Sequence, residues 1–347
     1  MSWIFAFLAL LPGIGFVLDV PWLALAVFVS MVPIEYVVGR SQLSALKAST
    51  PIWFESLNIV WSAGVLRVSA MLILAQNAAL LLWAMPQMQV AEMMLLAVSS
   101  GIVTGGLAVS LAHELGHRHT PFDRLLSLLL LTQYGFGQYR SAHNLGHHKD
   151  VGTPVDHASA PATHSVWRFA AAYPFRTWQR ARVLERGRKM PWQTRTENLM
   201  IFSLLWAGFV LLWGGPVVLV ASVLAALLAH FLTAAIDYIE HWGLRRRATE
   251  NGYEKVGPQH IWGCNNRLDD ALLLNLVRHP HHHLAPGLRA HQLQLVSESP
   301  QLPTGYLGMV FLAMAWPMFR RVMEPRLPST EDNEAQLSEA AHGRPTP

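Results

Sequence analysis

Six long apolar stretches are the feature that most limits what this chain can fold into. A helix that crosses a bilayer needs about 20 mainly apolar residues, and six segments of the 347-residue sequence reach or approach that length. They are residues 3–18, 21–39, 68–86, 89–112, 198–213 and 216–240. Charged residues make up 14% of the chain, against roughly 25% in soluble domains. The sequence therefore predicts an all-α integral membrane protein with six transmembrane helices.

The positions of the cationic residues predict how these helices are oriented. No Lys or Arg lies in residues 1–39, 68–117 or 196–244, so all 26 lie elsewhere in the chain. Cytoplasmic loops carry the excess of Lys and Arg, so both termini and the long loops are predicted to be cytoplasmic. The amino-terminal stretch lacks the positive n-region of a signal peptide and is expected to remain as the first span.

Two further apolar runs are too short or too interrupted to count as spans. Residues 124–139 contain two glycines and two glutamines, and residues 304–319 are short with a proline near the end. Both are expected to be re-entrant, interfacial or packed against the cytoplasmic domain. Because spans and histidine motifs alternate, we expect one integrated unit over residues 1–327. The hydrophilic segment 328–347 is expected to be a disordered tail.

Four histidine-rich motifs follow or connect the predicted spans. They are HELGHRH (113–119), AHNLGHH (142–148), DYIEHWGL (237–244) and RHPHHH (278–283). The chain has one cysteine, Cys264, which excludes Cys-based zinc or iron–sulfur sites within one chain. A bound metal must therefore be held by nitrogen and oxygen.

Helical spacing predicts which histidines lie together. Positions three and four apart share a helix face, which groups His113 with His117, His143 with His147, and His279 with His282 and His283. His148 can lean towards the second pair, and His241 lies at the base of the last span, at the same membrane boundary as His113. The nine candidates are His113, His117, His143, His147, His148, His241, His279, His282 and His283.

Nine imidazoles exceed what one ion can use, because a tetrahedral zinc takes four ligands. Two octahedral first-row ions would use the set and leave positions for oxygen or water. Two irons that activate O₂ beside a bilayer are the natural interpretation. HELGH alone also matches the H-E-x-x-H pattern of zinc proteases, but that interpretation leaves the other motifs without a role.

Several polar residues near these motifs are candidates for holding the ligand imidazoles by hydrogen bonds. They are Glu114, Glu240, Asp156, Asp237, Asn275 and His281. His281 points away from the face that His279, His282 and His283 share, so it is predicted not to be a ligand.

The chain resembles the membrane alkane 1-monooxygenases, a family within the fatty-acid desaturase/hydroxylase superfamily. The segments HELGHR, HNLGHH…TPVDHAS, YIEHWGL, NGYEKVGPQH and LNLVRHPHHHLAP…QLPTGY carry the resemblance. Ala142 stands where the family usually has glutamate, Pro280 replaces a serine and His281 an aspartate. IWGCNN also departs from a more typical Trp-Asn-Ser stretch.

The resemblance implies six helices capped by a cytoplasmic di-iron domain in the bacterial inner membrane, with the nine histidines above as iron ligands. It also implies O₂-dependent terminal hydroxylation of medium-chain alkanes. Electrons would come from NAD(P)H through rubredoxin reductase and rubredoxin, and no nucleic-acid partner is expected.

Three alternatives remain open. The same centre could oxidise an aromatic methyl group, as in xylene monooxygenases, or desaturate, hydroxylate or decarboxylate a fatty acyl chain. A carboxylate substrate would need a cationic anchor, for which Arg140 and Arg278 are candidates. A zinc hydrolase or a metal transporter is the non-oxidative alternative. The basic segments 176–189 and 245–247 would either meet anionic lipids or steer an acidic electron donor.

Overall fold

The computed structural model describes residues 2–38 and 63–328, and these residues are mostly helical. The first five helices are α1 (Ser2–Val17), α2 (Leu23–Val38), α3 (Ala63–Ala79), α4 (Val90–Ser99) and α5 (Gly106–Gly116). A π-helical turn, Leu80–Ala84, extends α3, and another, Ser100–Gly105, joins α4 to α5. The fourth and fifth helices therefore form one apolar rod.

The remaining elements carry most of the polar residues. They are α6 (Pro121–Thr132), α7 (Gln138–Ala142), α8 (His148–Asp150), α9 (Val166–Glu185), α10 (Thr196–His241), α11 (Arg267–Leu272), α12 (His279–Leu284), α13 (Tyr306–Met314) and α14 (Trp316–Met323). A two-stranded antiparallel hairpin, β1 (Ala248–Thr249) and β2 (Gly252–Tyr253), follows α10.

Three helical stretches of the described residues are long and apolar enough to cross a membrane. They are Gly64–Gln87, Val90–Gly116 and Thr196–His241, and two shorter apolar helices cover Phe5–Val17 and Leu23–Val38. Each of the six predicted apolar segments overlaps one of these helices. That six helices cross the membrane, and in which direction, stays a prediction.

α10 is a hairpin of two helices rather than one straight rod. Gly215 has φ 80° and ψ 179°, a conformation essentially restricted to glycine, and Pro216 follows it. Leu199 packs against Gly137, while the ring of His230 lies 4.3 Å from that of Phe136. A straight helix would separate Leu199 from His230 by about 46 Å. The predicted segments 198–213 and 216–240 are therefore two helices that reverse direction at Gly215.

Small residues bring the α4–α5 rod into backbone contact with the second half of α10. A Cβ atom added at Gly101 would lie 2.6 Å from the carbonyl oxygen of Ala225, and one at Gly105 would lie 2.6 Å from Cβ of Ala229. Small residues four apart permit this close approach of membrane helices. The contact aligns the two rods so that their histidine-bearing ends, α5 and the end of α10, meet.

The two short apolar runs form short helices. Residues 124–139 contribute to α6, where Ser127 Oγ donates to the Ala112 carbonyl at 2.6 Å, so α6 packs directly on α5. Residues 304–319 form α13 and the start of α14, which meet at the non-helical Ala315. The predicted disordered tail lies outside the described residues from position 329 onward.

Candidate metal centre

Nine histidines form two adjacent groups at the ends of α5 and α10. The first group contains His113, His117, His143, His148 and His282, and the second contains His147, His241, His279 and His283. Within each group one ring nitrogen per residue lies within 4.8 Å of the others. The groups together contain the nine predicted residues. That they bind iron stays a prediction.

The division into groups differs from the pairing that helical spacing predicts. His143–His147 form a π-helical turn, in which hydrogen bonds join residues five apart. This turn places His143 with His148 in the first group and sends His147 to the second. Grouping His143 with His147 was therefore wrong, because the sequence does not show that the turn is widened.

α12 contributes to both groups because its histidines diverge around the helix axis. His279 and His283 are four residues apart and lie in the second group, whereas His282 lies in the first. All three are buried. The three histidines were predicted to share one face of α12. They lie instead on two faces, and α12 is located between the two histidine groups.

The spacing of the ring nitrogens fits ligands of a shared ion. The Nε2 atom of His148 lies 3.0 Å from that of His143 and 3.3 Å from that of His117. In the second group, Nε2 of His279 lies 3.1 Å from that of His241 and 2.9 Å from that of His283. Two nitrogens about 2.1 Å from one ion and at right angles are about 3.0 Å apart.

Unpartnered nitrogens are a second indication that metal belongs here. The Nε2 atoms of His113, His147 and His282 are buried and have no hydrogen-bond partner. Buried polar atoms nearly always have one, so three orphaned lone pairs pointing at other imidazoles fit a cationic occupant. The residues present therefore fit two metal ions.

Protonation favours metal binding at most of these ligands. Burial lowers the pKa of His117 to about 4, and burial together with neighbouring imidazoles lowers the pKa values of His143, His148, His282 and His283. Neutral imidazole is the form that binds metals. His147 is different: burial lowers its pKa, but the carboxylates of Asp156, Asp237 and Asp150 together outweigh burial and raise it.

Asp156 is the clearest supporting carboxylate. Its two oxygens lie 3.0 and 3.1 Å from Nδ1 of His147, and it also accepts from Ser159 Oγ at 2.7 Å. A proton held on Nδ1 leaves the Nε2 lone pair free for a metal. Despite its complete burial, charge from His147 lowers the pKa of Asp156, so this carboxylate stays ionised.

Glu240 lies beside Nε2 of His279, on the side of the ring where a metal would bind. One carboxylate oxygen accepts from the Tyr306 hydroxyl at 2.7 Å, and the other lies 3.4 Å from Nε2 of His279. Since Nε2 is the ligand atom of His279, Glu240 is close enough to the second group to contribute an oxygen ligand. The sequence predicted that Glu240 holds the outer edge of a ligand imidazole. The structure places it on the other side of the ring.

The other predicted supporting residues bind elsewhere. Glu114 accepts from Arg118 at 2.9 Å and from the Ala290 backbone at 3.2 Å, while Asn275 donates to the Ala290 carbonyl at 2.9 Å. Asp237 accepts from the Tyr173 hydroxyl. These three side chains therefore fix the walls of the site rather than the ligand rings.

His281 lies outside both groups. It is half-buried, and its Nδ1 accepts from the Gln294 backbone at 3.0 Å. This is the orientation that the helical spacing predicted. Its contact ties the segment after α12 to the helix.

Two features escaped the sequence analysis. The ring of Tyr139 stacks on that of His143 at 5.2 Å, and Tyr306 reaches Glu240; of these, only Tyr306 lay in a motif, QLPTGY.

Arg278 is bound to Asp270 through two 3.0 Å contacts and to the Leu293 carbonyl. It is therefore engaged, and is a poor anchor for a substrate carboxylate.

Two adjoining cavities lie between the helical bundle and the histidines. The inner one is lined by Ser110, His113, Glu240 and His279, among others. The outer one is almost wholly apolar and lies between α1, α2, α5, α10 and α13. Gly106 and Ile236 line both cavities, so the apolar outer cavity adjoins the inner one, which reaches the metal centre.

Comparison with known proteins relates this chain to fatty acid desaturases and to alkane 1-monooxygenases. Residues 90–313 match the family described as fatty acid desaturase. Alkane 1-monooxygenase 1 of Alcanivorax borkumensis is 36% identical over 244 residues, which cover 68% of this chain and 60% of the relative. Alkane 1-monooxygenase 2 of Pseudomonas aeruginosa is 30% identical over 325 residues, 88% of this chain and 84% of the relative.

A more distant relative has a different substrate in its name. The xylene/toluene monooxygenase hydroxylase component XylM of Pseudomonas putida is 24% identical over 239 residues, 67% of this chain and 63% of the relative. The chain spans about 60% of the length of several alkane 1-monooxygenases that it matches.

Proposed function

This chain belongs to the fatty acid desaturase family, and we propose on that basis that it is a membrane di-iron monooxygenase that converts medium-chain n-alkanes to 1-alkanols. The observation that carries the proposal is the apolar cavity that adjoins, through the inner one, two groups of buried histidines. The names of the relatives support alkanes as the substrate class.

Two irons would be held by the five and the four histidines of the two groups. Five nitrogens exceed the four ligands of a structural zinc, and imidazole with open positions suits iron. When bound, the irons would supply the O₂ activation that turns R–CH₃, O₂, two electrons and two protons into R–CH₂OH and water.

The chain itself would bind and orient the alkane. An alkane offers no polar group, so binding must come from burial, at roughly 0.8 kcal/mol per CH₂. The outer cavity supplies apolar walls such as Leu8, Phe28 and Val310. The absence of a Cβ at Gly106 keeps open the junction through which a terminal methyl would reach His113 and His279.

Two contacts of the chain would prepare the site. Asp156 holds the proton of His147 on Nδ1, and Glu240 shares a proton with the Tyr306 hydroxyl at 2.7 Å beside the second group. The packed walls around the histidines exclude bulk water, since all but two of the nine are buried.

We further propose that rubredoxin, reduced from NAD(P)H by its reductase, delivers the electrons. Its acidic surface would dock on the basic face formed by residues 176–189 and 245–247, since complementary charge steers association. We also propose that the protein lies in the bacterial inner membrane with both termini cytoplasmic, and that residues 1–327 act as one unit.

Oxidation of an aromatic methyl group is the second candidate, favoured by the XylM relationship. For oxidation of a fatty acyl chain, Arg278 is committed to Asp270, which leaves Arg140 as the candidate anchor for a carboxylate. A zinc hydrolase or transporter would leave the second histidine group unexplained.

The test uses purified protein loaded with iron, together with rubredoxin, its reductase, NADH and O₂. We expect about two irons per chain and conversion of octane to 1-octanol. Parallel incubations with p-xylene and a fatty acid identify the alternatives by their products. Oxidation of only p-xylene or only the acid would overturn the alkane proposal, and zinc in place of iron would overturn the oxygenase.

A further inference from the structure

A cleft rich in arginine lies on the surface away from the substrate path. It measures about 690 Å³ and lies between residues 152–163, α9 and the chain that follows α10. Arg168, Arg176, Arg245 and Arg246 line it, together with His164, and its lining contains no carboxylate side chain. We call it the arginine cleft.

None of the four arginines forms a close ion pair with a carboxylate among the described residues. The ion pairs among the described residues involve other arginines. Arg176 and Arg246 donate to backbone carbonyls, those of Asp156 and Glu254, and the carboxylates of Asp156, Asp150 and Glu254 attract them only from beyond ion-pair distance. The carboxylate of Asp156 is itself bonded to His147 and Ser159. Four like charges gathered in a partly buried cleft repel one another.

Three donors in the cleft are buried without a partner. They are Arg245 Nη1, Thr163 Oγ1 and His164 Nε2. Buried polar groups without partners are rare in folded proteins.

We infer that the arginine cleft binds a phosphate-bearing anion. The planar guanidinium fork matches the oxygens of phosphate in bidentate pairs, and the unpartnered hydroxyl and imidazole offer further donors. The cleft shares Arg176, Arg245 and Arg246 with the basic face proposed to dock rubredoxin, but phosphate binding does not depend on alkane hydroxylation.

The phosphate could belong to a lipid headgroup or be free in solution. The hydroxyl of Tyr238, in the last turn of α10, donates to the carbonyl of His164 at 2.8 Å. This contact places the cleft next to the end of a predicted span, within reach of anionic headgroups. The shared chemistry is the phosphate group.

The experiment uses the full chain with its metal in phosphatidylcholine nanodiscs. The melting temperature is measured against inorganic phosphate at constant ionic strength, and retention of phosphatidylglycerol is measured by native mass spectrometry. The variants are Arg245→Gln and Arg168→Gln. Arg168 is exposed, so its substitution disturbs folding less than that of Arg245. Arg247→Gln is the matched control, because this exposed arginine pairs with Glu254 and lies outside the cleft.

We expect either phosphate or phosphatidylglycerol to bind the wild type and the control alike, and to bind the cleft variants about tenfold more weakly. The arm that responds identifies the source of the phosphate. Equal binding by wild type and cleft variants, or equal loss in the control, would overturn the inference. So would a loss of rubredoxin affinity alone, which would assign the cleft to the protein donor.

Discussion

The carboxylate of Asp156 lies 3.0 Å from Nδ1 of His147, on the opposite edge of the ring from the other ligands of the second histidine group. This contact decides which nitrogen carries the proton, and it leaves Nε2 buried and unpartnered among His241, His279 and His283. The geometry of the second centre thus depends on a carboxylate that is not itself a ligand.

Asp156→Ala should selectively weaken the second centre. Without the acceptor, the His147 ring can turn or change tautomer, and such partners contribute about 10- to 100-fold in metal affinity. Iron analysis after dialysis should give about one ion per chain. Ser159→Ala, which removes only a donor to Asp156, should retain both irons. Retention of both irons by Asp156→Ala would refute this role.

The variants His281→Ala and His282→Ala test which histidines of α12 point towards the metal centre and which point away from it. His281 bonds to the Gln294 backbone and His282 belongs to the first group. We expect nearly full iron in the first variant and loss of the first centre in the second, measured by metal analysis. Equal iron contents would show that the assignment of faces is wrong.

Gly106→Phe should block the substrate path without disturbing the metals. A Cβ added at Gly106 meets only the end of Leu232, at 3.3 Å, so the new ring would occupy the junction of the two cavities. Octane turnover should fall by more than tenfold while iron content is unchanged. Gly208→Phe, at a helical glycine with open space around it, is the control, and unchanged turnover in Gly106→Phe would relocate the path.

Arg278→Ala should destabilise the fold rather than change substrate choice. Arg278 and Asp270 are 12% and 9% exposed, and removing one member of a buried pair costs about 3 kcal/mol. Denaturant titration in detergent should show this decrease in the free energy of unfolding. The exposed Arg182–Glu197 pair provides a comparison, and Arg182→Ala should cost less than about 1 kcal/mol. Comparable decreases in the free energy of unfolding for Arg278→Ala and Arg182→Ala would contradict a structural role for Arg278.

Iron binding should release a proton from His147. Its pKa is raised by Asp156, whereas that of His117 is lowered to about 4 by burial. A raised pKa keeps the metal-free ring protonated to higher pH, so iron must displace that proton, and affinity should fall as pH drops through this pKa. At neutral pH, an indicator in weak buffer should detect less proton release from Asp156→Asn than from wild type. Equal release would contradict the assignment.

The sequence predicted the helices well because their signals are local. Apolar length identified all the segments that overlap the apolar helices, and the Gly-Pro pair at residues 215–216 marked the reversal within α10. The nine histidines were identified by helical spacing and motif resemblance. Their partners were harder to predict, because Glu114, Asp237 and Asn275 lie within about one helical turn of histidines along the chain but bind other residues in space.

The sequence by itself determined an apolar helical chain and which nine imidazoles face inward, since both depend on residues within one or two helical turns. Only the tertiary structure decided that these imidazoles divide into five and four. That division arises from the widened turn at His143–His147 and from the position of α12 between two centres. The roles of Asp156 and Glu240 were also decided in three dimensions, because hydrogen-bond partners far apart in sequence are set by how the helices pack.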